Sequence, residues 1–302
     1  MIVQADNVTV RYRTGLFRKP LIALDGLCLD VREGDFFALL GENGAGKSTA
    51  MGCFLGLLKP THGRVQVLGE PLKLGSSTYR KIGYLPEEPT YHGYLTMEEA
   101  VSYYAALYGR RVSKAEIGAL LQRMGLEKAR GLLIDRCSKG MKQKLGIVQC
   151  LLGEPTLLFL DEPMRGLDPL GVKDFRDALI DLNKRGTTIV MNSHMLSEVE
   201  IVANRVAILA QGRLVALETT ATLLQGQTDV YWVSFRTEGA VPDFVAVESR
   251  QEGRVDGTVP LAHLPRFLAY AHSPDVRLLN CDARRRTLEE TFTSIVRGRA
   301  DG

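Results

Sequence analysis

Apolar residues occur along this chain in two modes, short unbroken runs and stripes at helical spacing, and the alternation between them sets out the architecture. Phe36 to Leu40, Leu157 to Leu160 and Thr187 to Met191 are apolar runs bounded by polar or glycine-rich turns, the pattern of strands buried on both faces of a mostly parallel sheet. The opening VTVRYR alternates instead, as a half-buried strand does. From Thr96 the period becomes helical. Thr96-Met97-Glu98-Glu99 is a capping box, and Ser113-Lys114-Ala115-Glu116 repeats it before an apolar face of Ile117, Leu120, Leu121 and Met124, with Gly125 placed to end the helix. Another helix is expected from Ser138 through Leu152. Beyond about residue 222 the pattern changes again: Val230–Arg236 and Phe244–Ser249 alternate like strands, Leu261–Ala271 reads as a short helix, and Thr287-Leu288-Glu289-Glu290 is a further capping box. The expectation is an α/β domain followed by a small C-terminal α+β appendage.

Two of the buried runs end in chemistry. Directly after Leu40, residues 41 to 49 read GENGAGKST and fit G-x-x-x-x-G-K-[ST] at Gly41, Gly46, Lys47 and Ser48. Glycine lets such a loop turn so that backbone N–H groups from Asn43, Gly44, Ala45, Gly46 and Thr49 converge on an anion at a helix start. Lys47 is placed to reach the β and γ phosphates of a nucleoside triphosphate, and the Ser48 hydroxyl to ligate its Mg²⁺. The run LLFLDE at 157 to 162 then supplies two carboxylates. Its strand is expected beside the P-loop strand, with Asp161 toward the metal and Glu162 toward the γ-phosphate side, where a base can orient or deprotonate water.

Composition narrows this reading. At 302 residues with 45% hydrophobic content, the chain supports one large domain plus a small one, and a net charge of +3 with 24% charged residues carries no nucleic-acid footprint. The five cysteines are scattered with no C-x-x-C pair, against both a disulfide framework and a zinc site. No apolar run approaches the ~18 residues of a membrane span, so the chain is expected to be soluble by itself.

The stretch Cys137-Ser138-Lys139-Gly140-Met141-Lys142-Gln143-Lys144 resembles the signature motif of ATP-binding cassette (ABC) ATPases in the S-K-G-M form of the ABC-2 type export family. Ser138 and Gly140 match the usual L-S-G-G-Q, while Cys137, Lys139 and Met141 depart from it. PMRGLDP is similar to the D-loop, with Asp168 at the position that couples opposed sites, and His194 matches the switch histidine, some thirty residues after LLFLDE. Tyr12 resembles the adenine-stacking aromatic, although the insertion-like TGLFRKP follows it. Glu87, in Ile82-Gly83-Tyr84-Leu85-Pro86-Glu87, stands where most members carry the Q-loop glutamine that reaches the metal and the water.

The resemblance implies a P-loop ABC nucleotide-binding domain over 1–222: a mostly parallel sheet, an antiparallel β subdomain and a helical subdomain at about 90–152, with a C-terminal accessory domain at 223–302. It implies ATP and Mg²⁺ as ligands, with Ser48, Asp161 and Glu87 at the metal and Ser138 serving the P-loop of a second copy, so that two chains sandwich two ATP molecules. The work would pass to separate polytopic ABC-2 type permease subunits on the cytoplasmic side of the inner membrane, whose coupling helix could meet Tyr91, Tyr94, Tyr103, Tyr104 and Tyr108. Arg284, Arg285 and Arg286 read as a solvated turn. The competing reading is a soluble ABC ATPase acting on ribosomes or nucleic acid, but the paired cassettes or long inserted coiled coil of such proteins are not found in this sequence.

Overall fold

The computed structural model describes residues 1–12, 20–73, 75–224, 230–283 and 287–297. Residues 14–19 of the insertion-like segment and Arg284–Arg286 lie outside the described residues. The chain divides into one compact unit of Met1–Thr220 with Phe292–Gly302, and a second of Ala221–Thr291.

The first unit is organised by β3 (Phe36–Leu40), every residue of which is buried. Around it runs a six-stranded sheet in the order β5 (Ile82–Leu85), β6 (Leu157–Asp161), β7 (Thr188–Asn192), β3, β8 (Arg205–Ala210), β9 (Arg213–Thr219). Neighbours are parallel from β5 to β8, and β9 turns back antiparallel on β8. The strand carrying Asp161 and Glu162 was expected beside the P-loop strand, and here the structure corrects the sequence. The chain crosses over from β6 through α5 (Pro169–Lys184) and returns as β7, which takes the place against β3. Both faces of the sheet are covered, so register follows continuous apolar runs and the sequence has no alternation to mark which run neighbours which.

A three-stranded antiparallel sheet, β2 (Leu21–Val31), β1 (Val3–Tyr12) and β4 (His62–Val67), shares a core with the central sheet. The helix α1 (Lys47–Phe54) follows the glycine loop and buries Ala50, Met51, Cys53 and Phe54. The helical layer consists of α2 (Met97–Leu107), α3 (Lys114–Arg123) and α4 (Lys139–Leu151). Thr96 caps α2 with both halves of the box formed. Ser113 makes only half of one: it accepts from the Glu116 N–H, but the Glu116 carboxylate is drawn to Arg110 at 2.8 Å, since a guanidinium is a stronger donor than a backbone amide. The short α6 (Leu196–Val202) and α7 (Thr220–Leu224) complete the run.

Below β3 a buried polar knot ties three segments together. Arg205 pairs with Asp35 at 2.8 Å and Asp30 at 3.2 Å, while Asn204 bonds Asp35 and accepts from the Phe36 N–H. Arg205 and Asp35 are both buried, so removing the cation strands a carboxylate away from water. Arg205→Ala is expected to lower unfolding free energy by about 3–5 kcal/mol in urea titrations; a loss below about 1 kcal/mol would show that the knot does not hold the sheet.

The second unit is a four-stranded antiparallel sheet in the order β11 (Ala246–Gln251), β12 (Arg254–Pro260), β10 (Val230–Thr237), β13 (Val276–Ala283). With α8 (Leu264–Ala271) it encloses Val233, Phe235, Val255, Val259 and Phe267. The strand expected at Phe244–Ser249 begins two residues later, because the Val245 N–H closes a turn onto Pro242. At the far end of the sequence lies α9 (Leu288–Arg297), where Thr287 and Glu290 form the expected reciprocal cap.

Candidate functional site

Parallel strands present their C-terminal ends on one side of a sheet, and there β3 and β6 deliver their motifs into one cleft of 580 Å³. Its lining includes Tyr12, the glycine loop from Gly41 to Thr49 without Ala45, Glu87, Asp161, Glu162, Arg165 and His194. Two glycines explain the shape of the loop. Gly46 has φ 105° and a Cβ there would lie 2.6 Å from the Ala23 carbonyl, so no other residue fits. Gly44 has φ 83° and nothing within 4 Å of an added Cβ, which leaves the backbone open for close approach by a ligand.

Lys47 is buried, with Nζ donating to the carbonyls of Gly41 at 2.6 Å and Glu42 at 3.1 Å. Burial holds its pKa below the usual lysine value, against the opposing pull of Glu162 and Asp161. Such a cation, short of solvent and sharing its cleft with the glycine loop, is suited to an anion. The Ala45 N–H, expected among the converging donors, is instead bonded to the Glu42 carbonyl at 3.1 Å, and Ala45 does not line the cleft. The Ser48 hydroxyl and the Asp161 carboxylate share the cleft, and the Asn192 side chain donates to Asp161 at 3.1 Å.

Glu162 follows β6 in a left-handed conformation at φ 47°, a costly geometry for glutamate, held by its N–H on the Asn192 carbonyl at 3.1 Å. Its Oε2 lies 2.7 Å from Nδ1 of His194 and 3.3 Å from the His194 N–H. A carboxylate only accepts, so Nδ1 carries the hydrogen and Nε2 is left as the outward ring atom. Tyr12 is 37% exposed at the rim beside Leu21 and Ile22.

Ser138, Gly140 and Asp168 are not in this cleft. They line a separate one of 450 Å³ with Lys128, Lys139 and Lys144. Ser138 is the N-cap of α4, accepting from Met141 N–H at 3.2 Å, and Asp168 caps α5 by accepting from Gly171 N–H at 2.7 Å. Both residues thus have a structural role in the chain itself. The tyrosines divide as well: Tyr94 and Tyr103 are exposed and pack on His92 at ring distances of 5.5 and 5.6 Å, whereas Tyr91 is partly buried and its hydroxyl donates to the Lys142 carbonyl.

Two residues of this region escaped sequence reading. Arg165 pairs with Glu87, and the fully buried Gln143 donates through Nε2 to the Glu87 carbonyl at 2.8 Å. Their partners are 78 and 56 positions away in sequence. The one available signal was a cation inside PMRGLDP, next to a segment rich in acids.

Residues 24–165 match the ABC transporter family. Along nearly its full length the chain is 35% identical to an uncharacterized ABC transporter ATP-binding protein of Nostoc sp., over 96% of this chain and 88% of that protein. The chain belongs to the ABC transporter ATP-binding proteins. It is also 32% identical to a fluoroquinolones export ATP-binding protein of Mycobacterium tuberculosis, over 95% of this chain and 92% of that one. Among solved structures, a dimeric ATP-binding cassette in a post-hydrolysis state with ADP and Pi superposes with a TM-score of 0.64 at 26% identity, covering 72% of this chain and 98% of that one. The chain is therefore an ATP-binding subunit of a transporter and an ATPase that powers transport. No helix among the described residues is long and apolar enough to cross a membrane.

Proposed function

We propose that this cassette drives an ABC-2 type exporter, hydrolysing ATP in the cleft of Lys47, Asp161, Glu162 and His194 and passing the resulting motion to separate polytopic permease subunits. The observation that carries the catalytic part is the Glu162–His194 pair at 2.7 Å in the same cleft as the glycine loop and Lys47. The loop amides and Lys47 bind the phosphates, and Tyr12 offers a π face to the base. Glu162, fixed by Asn192 and His194, accepts the proton of an attacking water, and Nε2 of His194, the ring nitrogen not engaged by Glu162, is available to a γ-phosphate oxygen. Ser48, Asp161 and Glu87 line the same cleft and offer oxygen donors of the kind Mg²⁺ takes; they would hold the ion, which when bound would supply positive charge against the phosphates.

Ser138, Gly140 and Asp168 stand in the second cleft, apart from the P-loop of their own chain. They are assigned to the triphosphate of a second copy, with Gly140 and the start of α4 offering backbone N–H groups. Both composite sites of a twofold homodimer then carry a full set of residues. ATP favours the closed pair and hydrolysis releases it, which is the mechanical output. The exposed Tyr94 and Tyr103 offer the permease an aromatic contact surface. The ABC-2 assignment draws on the S-K-G-M signature and on the export proteins among the relatives, and it places the cassette peripherally on the cytoplasmic side of the inner membrane.

Glu162→Gln protein loaded with ATP and drawn from gently solubilised native membranes is expected to bring down a polytopic membrane protein in stoichiometric amount, identified by mass spectrometry. Recovery of ribosomes or nucleic-acid complexes in its place would move the assignment to a soluble ABC ATPase.

A further inference from the structure

The cleft is rich in carboxylates. Glu42, Glu87, Asp161 and Glu162 all line it, and Lys47 is one cation against them. A neutral glutamine at position 87, as in most ABC ATPases, would remove one of these charges. The chain keeps the glutamate and sets Arg165 against it.

The surroundings make this pairing a built feature. The Glu87 main chain is fixed from beneath, because Gln143 on α4 is fully buried and donates to the Glu87 carbonyl. Arg165 is fixed relative to the Glu162 turn, since its N–H bonds the Glu162 carbonyl at 3.1 Å. With both backbones held, the two side chains meet half-exposed in the lining of the cleft that also holds the glycine loop and Lys47. An exposed pair of this kind contributes little to folding. Its effect on an anionic ligand in the same cleft is larger, because charges near a protein surface interact through an effective dielectric below that of water.

We propose that Arg165 is a positioning residue that offsets Glu87, so that the pair presents a triphosphate in this cleft with the net charge of the usual glutamine. This rests on the reading of the cleft as the ATP site. It makes position 165 the partner of position 87: each substitution alone unbalances the cleft, in opposite directions, and the two together restore it.

The test is a double-mutant cycle on the full chain, with ATP and ADP dissociation constants measured by calorimetry at low salt, in EDTA and again with Mg²⁺. In EDTA, Arg165→Ala is expected to weaken ATP binding about tenfold and Glu87→Gln to tighten it about threefold. The pair Glu87→Gln with Arg165→Ala should return to within about threefold of the parent, and Arg165→Lys should hold near it. The losses should shrink with added salt and with Mg²⁺, and be smaller for ADP, while melting midpoints change little. Single effects of the same sign, or a double variant as weak as Arg165→Ala alone, overturn the offset, as does an Arg165→Ala defect equal for ATP and ADP and indifferent to salt, which would mark a structural role. Lys47→Ala separates the two layers of the argument. If it loses ATP while Arg165→Ala keeps parental affinity, the pairing alone fails; if it binds ATP normally, the assignment of the cleft fails.

Discussion

Glu162→Gln is expected to bind ATP as tightly as the parent while its turnover falls by about 10²–10⁴-fold. Glutamine keeps the length and planarity of the side chain, so the nucleotide meets nearly the same wall, but its neutral amide is a far weaker base than a carboxylate. The contact with His194 survives in altered form, since Nδ1–H can donate to the amide oxygen as it does to Oε2, at 2.7 Å in the parent. What disappears is the proton acceptor itself. Because ATP then enters and is not consumed, the closed pair of chains should accumulate, visible as an ATP-dependent dimer in size-exclusion chromatography. Steady-state phosphate release and nucleotide titration on the same preparation check both halves. Turnover within about threefold of the parent would assign the base to another group, and a parallel loss of ATP affinity would show that Glu162 shapes the binding site rather than the reaction.

His194 should behave differently from its neighbour. It reaches the reaction by holding Glu162 through two contacts, Nδ1 and its own backbone N–H. Substituting its side chain leaves the backbone contact in place, so the carboxylate keeps part of its restraint. The strained φ of Glu162 is secured independently by the Asn192 carbonyl, which ties β6 to β7 at the point where both strands end.

Those ties explain how far the sequence could be read. The glycine loop was legible because its chemistry is contiguous: Gly41, Gly46, Lys47 and Ser48 lie within one turn, and Lys47 reaches carbonyls only five and six positions behind it. Caps were legible for the same reason, and the half-formed one at Ser113 failed only because Arg110, from outside the box, competed for Glu116. Strand order was not legible. The runs around Phe37, Phe159 and Val190 are each fully buried and alike in composition, so nothing local specifies that β7 separates the other two. Arg165 and Gln143 were hidden by distance in the chain, as side chains whose meaning depends on what the fold sets beside them. Glu87 looked like an isolated excess charge until the fold supplied its counter-ion.

Lys47→Ala should have the opposite signature to Glu162→Gln, with ATP affinity falling by about 10²-fold and turnover per bound nucleotide of secondary interest. The magnitude follows from the setting of the ammonium. It is buried and its pKa is lowered chiefly by that burial, so the folded chain already bears the cost of keeping a cation there with only two carbonyls as acceptors. A triphosphate supplies the charged acceptor that this arrangement lacks, and part of the binding energy is the relief of that cost. The loss should therefore grade with phosphate charge: largest for ATP, smaller for ADP and near zero for adenosine, which has no phosphate. Equal losses for all three ligands in calorimetry would mean that the substitution had collapsed the loop around Gly46 instead of removing a cation. Unchanged ATP affinity would place the phosphates away from Lys47, against the open backbone at Gly44 that argues for them there.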